Sequence, residues 1–366
     1  MGTRTSSSLR KGRSMIKRNF CFMFYLVITV CGLFVGAADA ADLPLVTWQG
    51  RTMGSTYTVK IVGTNLAHAQ IEMLKTEVDR RLIEVNRQMS HYQPDSELSR
   101  FNRSPANTPL KISPEFARVM RFAMKLNRLS SGAFDPTLAP VINLWGFGEK
   151  TEERAVPLET DLRAAMTNSG CQHLSMTTHD ELIKDIPELT INFSAIAKGF
   201  GVDEMVRVLR EHGLTNVYAS IAGEVMVLGL NPRGTKWQVG ISAPVAHWTE
   251  DDPMAAVVSL SNQAVSTSGD YQKFFTDAQG RRLCHLIDPR TGWPVQNRVT
   301  SVSVVATNSM TADALSTTLF VLGPEKGLRW IESWTNAAAL FILQEVDNQF
   351  RQIASSRFTA LTGYQP

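Results

Sequence analysis

The chain has 366 residues, of which 43% are hydrophobic and 19% are charged, and its formal net charge is +3. This is the composition of an ordinary globular protein, and it excludes a fibrous or largely disordered chain. A chain of this length forms one large domain or two smaller ones. It can bury enough surface to fold without disulfides or structural metals.

The first 40 residues have the pattern of a secretory signal peptide. A basic segment at residues 10–18 precedes an apolar segment at residues 20–34, and Ala38-Asp39-Ala40 forms a cleavage pattern before Ala41. A retained membrane anchor is one alternative, although the apolar segment is shorter than the roughly 20 residues of a spanning helix. A lipid on Cys31 is another. We predict an exported protein, which a retained leader would associate with a membrane.

The remaining residues, 41–366, are predicted to form one domain. Two closely packed subdomains within it are the alternative. Residues 1–40 contain six basic side chains and one acidic side chain. Residues 41–366 therefore contain 31 basic and 33 acidic side chains, a net charge of −2. This balance gives no electrostatic reason to propose nucleic-acid binding. Cys171 and Cys284 remain in the domain, and an exported location permits a bridge between them without requiring it.

Hydrophobic spacing predicts the elements of the first half. Residues 44–62 alternate as strands do, and residues 66–89 have apolar side chains at helical spacing. Ser113 and Pro114 are typical of a helix start, and that helix should run to about Leu129. Residues 149–160 are charged and contain proline, which indicates a surface linker.

The second half mixes strands and helices. A strand at Leu189–Phe193 should lead into a helix from about Ala195 to His212, which Gly213 ends. Further strands are predicted at 216–222, 224–230, 236–242, 256–260, 281–287, 302–306, 338–344 and 349–354, and further helices at 311–322 and 325–334. Because strands and helices do not alternate regularly, the order predicts an α+β fold rather than a doubly wound sheet.

Two clusters carry residues suited to a metal and a phosphate. Asp313 and Thr317 are four positions apart, so a helix places them on one face, and their oxygens suit Mg²⁺. A carboxylate that only offsets a helix dipole is the alternative. Lys198 is expected in the first turn of a helix, where its charge would add to the free backbone N–H groups for a phosphate. A solvated surface lysine is the alternative there.

Two further clusters carry a candidate base and a candidate loop. His285 precedes a tight turn at Asp288–Gly292, and a strand end beside such a turn is a common place for a catalytic base. A core histidine is the alternative. In the loop at Gly132–Thr137, the Phe134 side chain could cover a ring of a ligand, and Asp135 could accept hydrogen bonds. A plain capped loop is also consistent with this sequence.

In order and spacing, these clusters resemble the ApbE family, the FAD:protein FMN transferases. The resemblance covers most of the mature chain and is carried by Met53–Tyr57, Met89–Asn102, Gly132–Thr137, Trp145–Gly148, Ser194–Gly199, Val265–Tyr271, His285–Gly292 and Ala312–Thr317. It implies an α+β fold of the T-fold-like kind, with mixed and antiparallel sheets, in an exported protein that faces the periplasm and can associate with the inner membrane. It also implies FAD as substrate, Mg²⁺ as cofactor and transfer of FMN to a Ser or Thr hydroxyl of a partner. Such partners are typically subunits of membrane redox complexes.

The resemblance also implies roles for individual residues. The residues expected to line the FAD site are Met53, Tyr92, Ala133, Phe134, Asp135, Asn192, Lys198 and Ile287. The metal ligands are expected to be Asp313, Thr317 and the carbonyl of Ala195, and His285 is expected to be the base. The family usually has an acidic residue where Asn192 stands, and asparagine keeps an acceptor but lacks the charge.

Two other activities are consistent with the same residues. A Mg²⁺-dependent FAD pyrophosphatase would use water in place of the partner hydroxyl. A flavin-binding protein without turnover would need neither the metal nor the base. An acceptor protein incubated with FAD and Mg²⁺ separates the three, because a transferase modifies the acceptor, a hydrolase releases FMN and AMP, and a carrier does neither.

Overall fold

The computed structural model describes residues 42–148, 154–245, 253–271, 273–345 and 349–366. The predicted leader at 1–40 and residues 149–153 of the predicted linker lie outside these ranges. Residues Ala41–Pro366 group into one unit. Within the described ranges, no helix combines the length and the apolar character needed to cross a bilayer.

The fold contains both helices and strands throughout its length. The strands are β1 (Leu45–Thr52), β2 (Ser55–Val62), β3 (Leu110–Lys111), β4 (Leu174–Met176), β5 (Glu181–Lys184), β6 (Val217–Ile221), β7 (Glu224–Leu228), β8 (Trp237–Ser242), β9 (Met254–Leu260), β10 (Gln263–Gly269), β11 (Phe274–Thr276), β12 (Arg282–Cys284), β13 (Val299–Ala306), β14 (Ala337–Gln344) and β15 (Phe350–Ala354). The helices are α1 (His68–Met89), α2 (Glu97–Asn102), α3 (Pro114–Leu129), α4 (Ala139–Leu144), α5 (Glu159–Thr167), α6 (Ala197–Glu211), α7 (Ser309–Ile331) and α8 (Phe358–Thr362).

An eight-stranded sheet forms the centre, in the order β1-β2-β6-β7-β10-β13-β14-β15. All of its neighbouring strands are antiparallel. Three small antiparallel sheets surround it, in the orders β3-β5-β4, β8-β9 and β11-β12. The mixture of helices and antiparallel sheets confirms the predicted α+β class.

Both faces of the central sheet are covered. Strand β7 shows this, because Met226 and Leu228 belong to one hydrophobic cluster with residues of α1, α6 and α7, while Val225 and Val227 belong to a second. The second cluster also contains side chains of the β8–β9 hairpin and of α8. Strands buried on both faces are nearly continuous apolar runs, which explains why the sequence showed no strict alternation here.

Several predicted elements have different bounds in the structure. Residues 44–62 form two strands joined by a tight turn, and the last predicted helices are one helix, α7, with a kink at Gly323 and Pro324. The predicted strand at Leu189–Phe193 is wrong. That segment has no strand partner, and its backbone groups bond instead to Asn102 and to the carbonyl of Pro136. The predicted linker at 149–160 also ends earlier than expected, because α5 begins at Glu159.

Candidate active site

A hydrogen bond between helices α6 and α7 holds Asp313, one of the predicted metal ligands. The backbone N–H of Gly199 donates to Oδ2 of Asp313 over 2.8 Å, and the Asp313 side chain is 3% exposed. A Cβ atom on Gly199 would lie 2.3 Å from the carbonyl oxygen of Ser309, so only glycine allows this approach. Desolvation by burial raises the pKa of Asp313 above its usual value, although the charge of Lys198 opposes the shift.

Beside Asp313, Lys198 forms an ion pair with Glu224, the first residue of β7. The Glu224 side chain is 5% exposed, whereas that of Lys198 keeps 31% of its surface accessible. Desolvation raises the pKa of Glu224. Desolvation acts to lower the pKa of Lys198, but the charges of Glu224 and Asp313 outweigh it and raise that pKa. Lys198 therefore stays a cation beside two buried carboxylates.

Hydroxyl groups complete this end of the site. Oγ of Ser268 lies 2.9 Å from Oγ1 of Thr317 and 2.8 Å from Oγ of Ser316. Thr317 lies one helical turn after Asp313 on α7, and Ala195 precedes the first turn of α6. If these three residues supplied one carboxylate, one hydroxyl and one backbone carbonyl to a metal, the sparse set of hard oxygen ligands would suit Mg²⁺, because this ion retains waters and takes phosphate oxygens. Across the described residues, no group of three or more His, Cys, Asp or Glu forms a fuller metal site.

His285 follows β12 directly, as the sequence predicted. Its backbone N–H donates to the carbonyl of Lys273 over 3.0 Å, and its Nδ1 lies 3.3 Å from the same oxygen. Nδ1 donating to this carbonyl leaves Nε2 as the proton acceptor. Desolvation, together with the charges of Lys273 and Lys198, lowers the pKa of His285 to about 4. Its ring also packs edge-on against Phe147, with the centroids 6.3 Å apart.

The Gly132–Thr137 loop is held by the carboxylate of Asp135. Oδ1 accepts from the backbone N–H of Thr137 over 2.8 Å and from its hydroxyl over 2.6 Å, while Oδ2 accepts from Asn127 over 3.2 Å. The thiol of Cys171 also contacts Oδ1, at 3.5 Å. Asp135 thus fixes its own loop, and no disulfide occupies Cys171.

Asn192 lies next to this loop. Its backbone N–H donates to the carbonyl of Pro136 over 2.7 Å, and its side-chain Oδ1 accepts from the backbone N–H of Ser194 over the same distance. The side-chain acceptor of Asn192 is therefore already used in a local turn. This turn leads into the first residues of α6, so it connects the Asp135 loop to the Lys198 end of the site.

The remaining predicted residues differ in exposure. The Tyr92 side chain is 67% exposed and stacks on His91, with ring centroids 4.0 Å apart. Met53 has a positive φ in the β1–β2 turn, and its thioether lies against Gly201 of α6. In contrast, Ala133, Phe134 and Ile287 are buried. The Phe134 ring packs in the main core, and its role at a ligand ring stays a prediction.

Sequence reasoning missed four polar residues of this site: Glu224, Ser268, Ser316 and Lys273. Ser268 and Ser316 lay within quoted motifs, but nothing in the sequence brought those motifs together. Glu224 stood at the start of a predicted apolar strand, and a carboxylate in such a position indicates a buried partner. Lys273 gave no indication, because its relation to His285 depends on the β11–β12 hairpin.

Comparison with known proteins shows the family of this chain. The sequence model of the ApbE family matches residues 53–341. An FAD:protein FMN transferase of Haemophilus influenzae is 38% identical and covers 92% of this chain and 97% of its own. An FAD:protein FMN transferase of Vibrio cholerae is 40% identical and covers 91% of this chain and 97% of its own.

Two solved structures have the same fold as this chain. The flavin transferase ApbE from Vibrio cholerae aligns with a TM-score of 0.79 and 39% identity, over 87% of this chain and 99% of that one. The apo form of the Pseudomonas stutzeri flavinyl transferase ApbE aligns with a TM-score of 0.79 and 36% identity, over 90% and 100%. The matched range includes every predicted site residue. The chain belongs to the ApbE family.

Proposed function

We propose that this protein is an FAD:protein FMN transferase that uses Mg²⁺. The observation that carries the proposal is the Gly199–Asp313 hydrogen bond, which brings Lys198 at the start of α6 into electrostatic contact with Asp313 on α7. Thr317 lies one helical turn after Asp313. A cation, a buried carboxylate and a hydroxyl are the groups that a pyrophosphate and its metal require. The names of the relatives supply the substrate and the kind of acceptor.

The metal would be held by Asp313, Thr317 and the carbonyl of Ala195. Asp313 has one oxygen engaged by the Gly199 N–H, which orients the carboxylate before any ligand binds. When bound, Mg²⁺ would supply charge neutralisation on the pyrophosphate. Lys198 adds a fixed positive charge next to it, at a side chain that is still accessible from solvent.

The reaction joins the acceptor oxygen to the FMN-side phosphorus of FAD. The bond from that phosphorus to the oxygen of AMP breaks, and AMP leaves. The acceptor hydroxyl loses its proton to Nε2 of His285, which is neutral and available at pH 7. FAD brings negative charge close to Lys198 and Lys273, and this charge would raise the pKa of His285 and make it a stronger base in the complex.

The flavin and the adenosine are expected to occupy the two sides of this centre. Tyr92 offers an exposed ring for stacking. The remainder of the FAD site would be lined by Met53, Ala133, Phe134, Asp135, Asn192 and Ile287. Those of them with buried side chains, Ala133, Phe134 and Ile287, would contribute largely backbone atoms. The acceptor is proposed to be a protein with an exposed Ser or Thr, in a subunit of a membrane redox complex. The enzyme would meet it in the periplasm after export.

The direct test is covalent modification of an acceptor. The purified protein is incubated with FAD, Mg²⁺ and a candidate acceptor domain, and the acceptor is weighed by intact mass spectrometry. A gain of one FMN moiety that disappears with EDTA is the expected result. Substitution of the acceptor hydroxyl by alanine should prevent the gain.

Other outcomes assign other activities. An unmodified acceptor with FMN and AMP in solution would identify a pyrophosphatase. Intact FAD after incubation with several acceptor domains, while FAD still binds the protein, would identify a carrier. Transfer that continues in excess EDTA would contradict the metal part of the proposal alone.

A further inference from the structure

Glu224 is a charged residue in a strand that is otherwise apolar. All five residues of β7 are buried, and the other four are Val225, Met226, Val227 and Leu228. A carboxylate in such a strand is costly unless a partner compensates its charge. Its Oε1 accepts from the ammonium of Lys198, while its Oε2 is buried and has no hydrogen-bond partner among the described residues.

The position of Glu224 is rigidly set by the hairpin that carries it. Ile221 pairs with Glu224 across a two-residue turn. Both turn residues, Ala222 and Gly223, have positive φ, as a type I′ turn requires. The Ala222 N–H also donates to the carbonyl of Thr56 on the neighbouring strand. The carboxylate is therefore fixed by the sheet and does not depend on a mobile loop.

The ammonium of Lys198 has three N–H donors. Glu224 is the one acceptor that it bonds within the described part of the chain. Because the Lys198 side chain keeps 31% of its surface accessible, the other two donors are free to meet an anion from the open side. An ammonium that is fixed at one donor loses less conformational freedom when it binds a phosphate.

We propose that Glu224 is a positioning residue that holds the Lys198 ammonium toward the pyrophosphate of FAD, and that it is not itself a metal ligand. The inference rests on the proposed function, since it concerns the same site. The ammonium bonded to Oε1 would repel a divalent cation placed on the same carboxylate. Asp313 also lies in the field of Lys198, but the hydrogen bond that it accepts comes from the neutral Gly199 N–H and not from the ammonium.

The test measures FAD binding by equilibrium dialysis, with and without Mg²⁺, and does not depend on transfer. The variants are Glu224→Gln, Lys198→Met and the double variant. Glu332→Gln combined with Lys198→Met is the matched control, because Glu332 bonds Ser356 and Arg357 far along the chain from β7. Thermal unfolding of each variant reports whether it is folded, and the isosteric glutamine keeps the volume of the side chain.

We expect Lys198→Met to weaken FAD binding about tenfold or more, since hydrogen bonds to charged groups are among the strong ones. Glu224→Gln should weaken it about threefold to tenfold, without changing the Mg²⁺ midpoint. The double variant should bind as Lys198→Met does, because Glu224 then has no ammonium to position. In the control, the effects of Glu332→Gln and Lys198→Met on FAD binding should be independent of each other.

Two results would overturn the inference while leaving the proposed function intact. One is full additivity of Glu224→Gln and Lys198→Met. The other is a shift of the Mg²⁺ midpoint in Glu224→Gln that exceeds the change in FAD binding, which would make Glu224 a metal ligand. A native protein that binds no FAD would overturn the proposed function, and this inference with it.

Discussion

The backbone N–H of Gly199 and the carboxylate of Asp313 are joined by a 2.8 Å hydrogen bond that connects the start of α6 to α7. This bond places the start of α6, which carries Lys198, against the face of α7 that we propose to bind the metal. It requires that position 199 has no side chain, because a Cβ atom there would lie 2.3 Å from the Ser309 carbonyl oxygen and 2.7 Å from Asp313 Cβ.

Gly199→Ala should separate the two helices. Neither the Ser309 carbonyl nor Asp313 Cβ can move without shifting α7, so we expect a loss of about 1–3 kcal/mol in the free energy of unfolding, together with weaker metal binding. Chemical denaturation and Mg²⁺ titration measure the two effects.

Gly201→Ala is the matched control for this helix. Its new methyl group would meet the flexible end of Met53 at 2.8 Å and Ile221 Cδ1 at 3.0 Å, and these atoms can move aside. We expect a smaller stability loss than in Gly199→Ala. Equal losses in the two variants would show that the helix contact at Gly199 is not specially tight.

Asp313→Asn should remove the metal while the protein stays folded. The amide oxygen still accepts from the Gly199 N–H, but the negative charge that attracts Mg²⁺ is gone. Because the metal contributes several kcal/mol of charge stabilisation, transfer should fall at least about a hundredfold. Initial rates over a range of Mg²⁺ concentrations provide the measurement.

Thr311→Ala, on the first turn of the same helix, should retain the native rate. Recovery of the native rate by Asp313→Asn at saturating Mg²⁺ would mean that the carboxylate is not a ligand needed for turnover. In that case the metal site has to be sought elsewhere on α7.

His285 should remain neutral well into the acidic range. Desolvation and the neighbouring lysine charges lower its pKa to about 4, so its imidazole NMR signals in the free protein should not titrate between pH 8 and 5. The corresponding signals are identified by their loss in His285→Gln. A midpoint near pH 6.5 would contradict the desolvated environment of this ring.

The same shift has a defined effect on stability. The folded protein binds a proton at His285 less readily than the unfolded chain, so stability rises with pH between about 4 and 6.5 and falls as pH is lowered through this window. His285→Gln lacks this dependence. The variant should therefore gain stability relative to the native protein as the pH falls from 6.5 toward 4, which denaturant titrations at several pH values can measure.

Asn192→Asp should strengthen FAD binding without altering the fold. The aspartate keeps an oxygen for the Ser194 N–H and presents a second, charged acceptor in place of the amide nitrogen. We expect a Kd for FAD that is several-fold lower and an unchanged thermal midpoint. Equal or weaker binding would show that the acidic residue usual in the family has no equivalent role in this chain.

The sequence determined the fold class and most of the elements, because these depend on local patterns. Helical spacing at 66–89 predicted α1, and Ser113 with Pro114 predicted the start of α3. The segment at 189–193 misled the prediction because it is apolar yet bonds to side chains and loops rather than to a strand. Periodicity alone does not reveal such partners.

The sequence also predicted which residues carry the chemistry, through motifs that are local in the chain. Asp313 and Thr317 are one helical turn apart, and His285 lies at a strand end, so these placements needed no tertiary information. The arrangement of these residues relative to one another did need tertiary information. Lys198 and Asp313 are far apart in sequence, and they meet because Gly199 lets α6 touch α7.

Tertiary structure alone decided the electrostatics of the site. The pairing of Lys198 with Glu224, and the lowered pKa of His285 beside Lys273, depend on burial and on charges from distant segments. It also decided that Phe134 is a core residue although it lies in a candidate binding loop. The sequence specifies which groups are present, and the packing of the sheet and helices sets how far each group is from water and from the next charge.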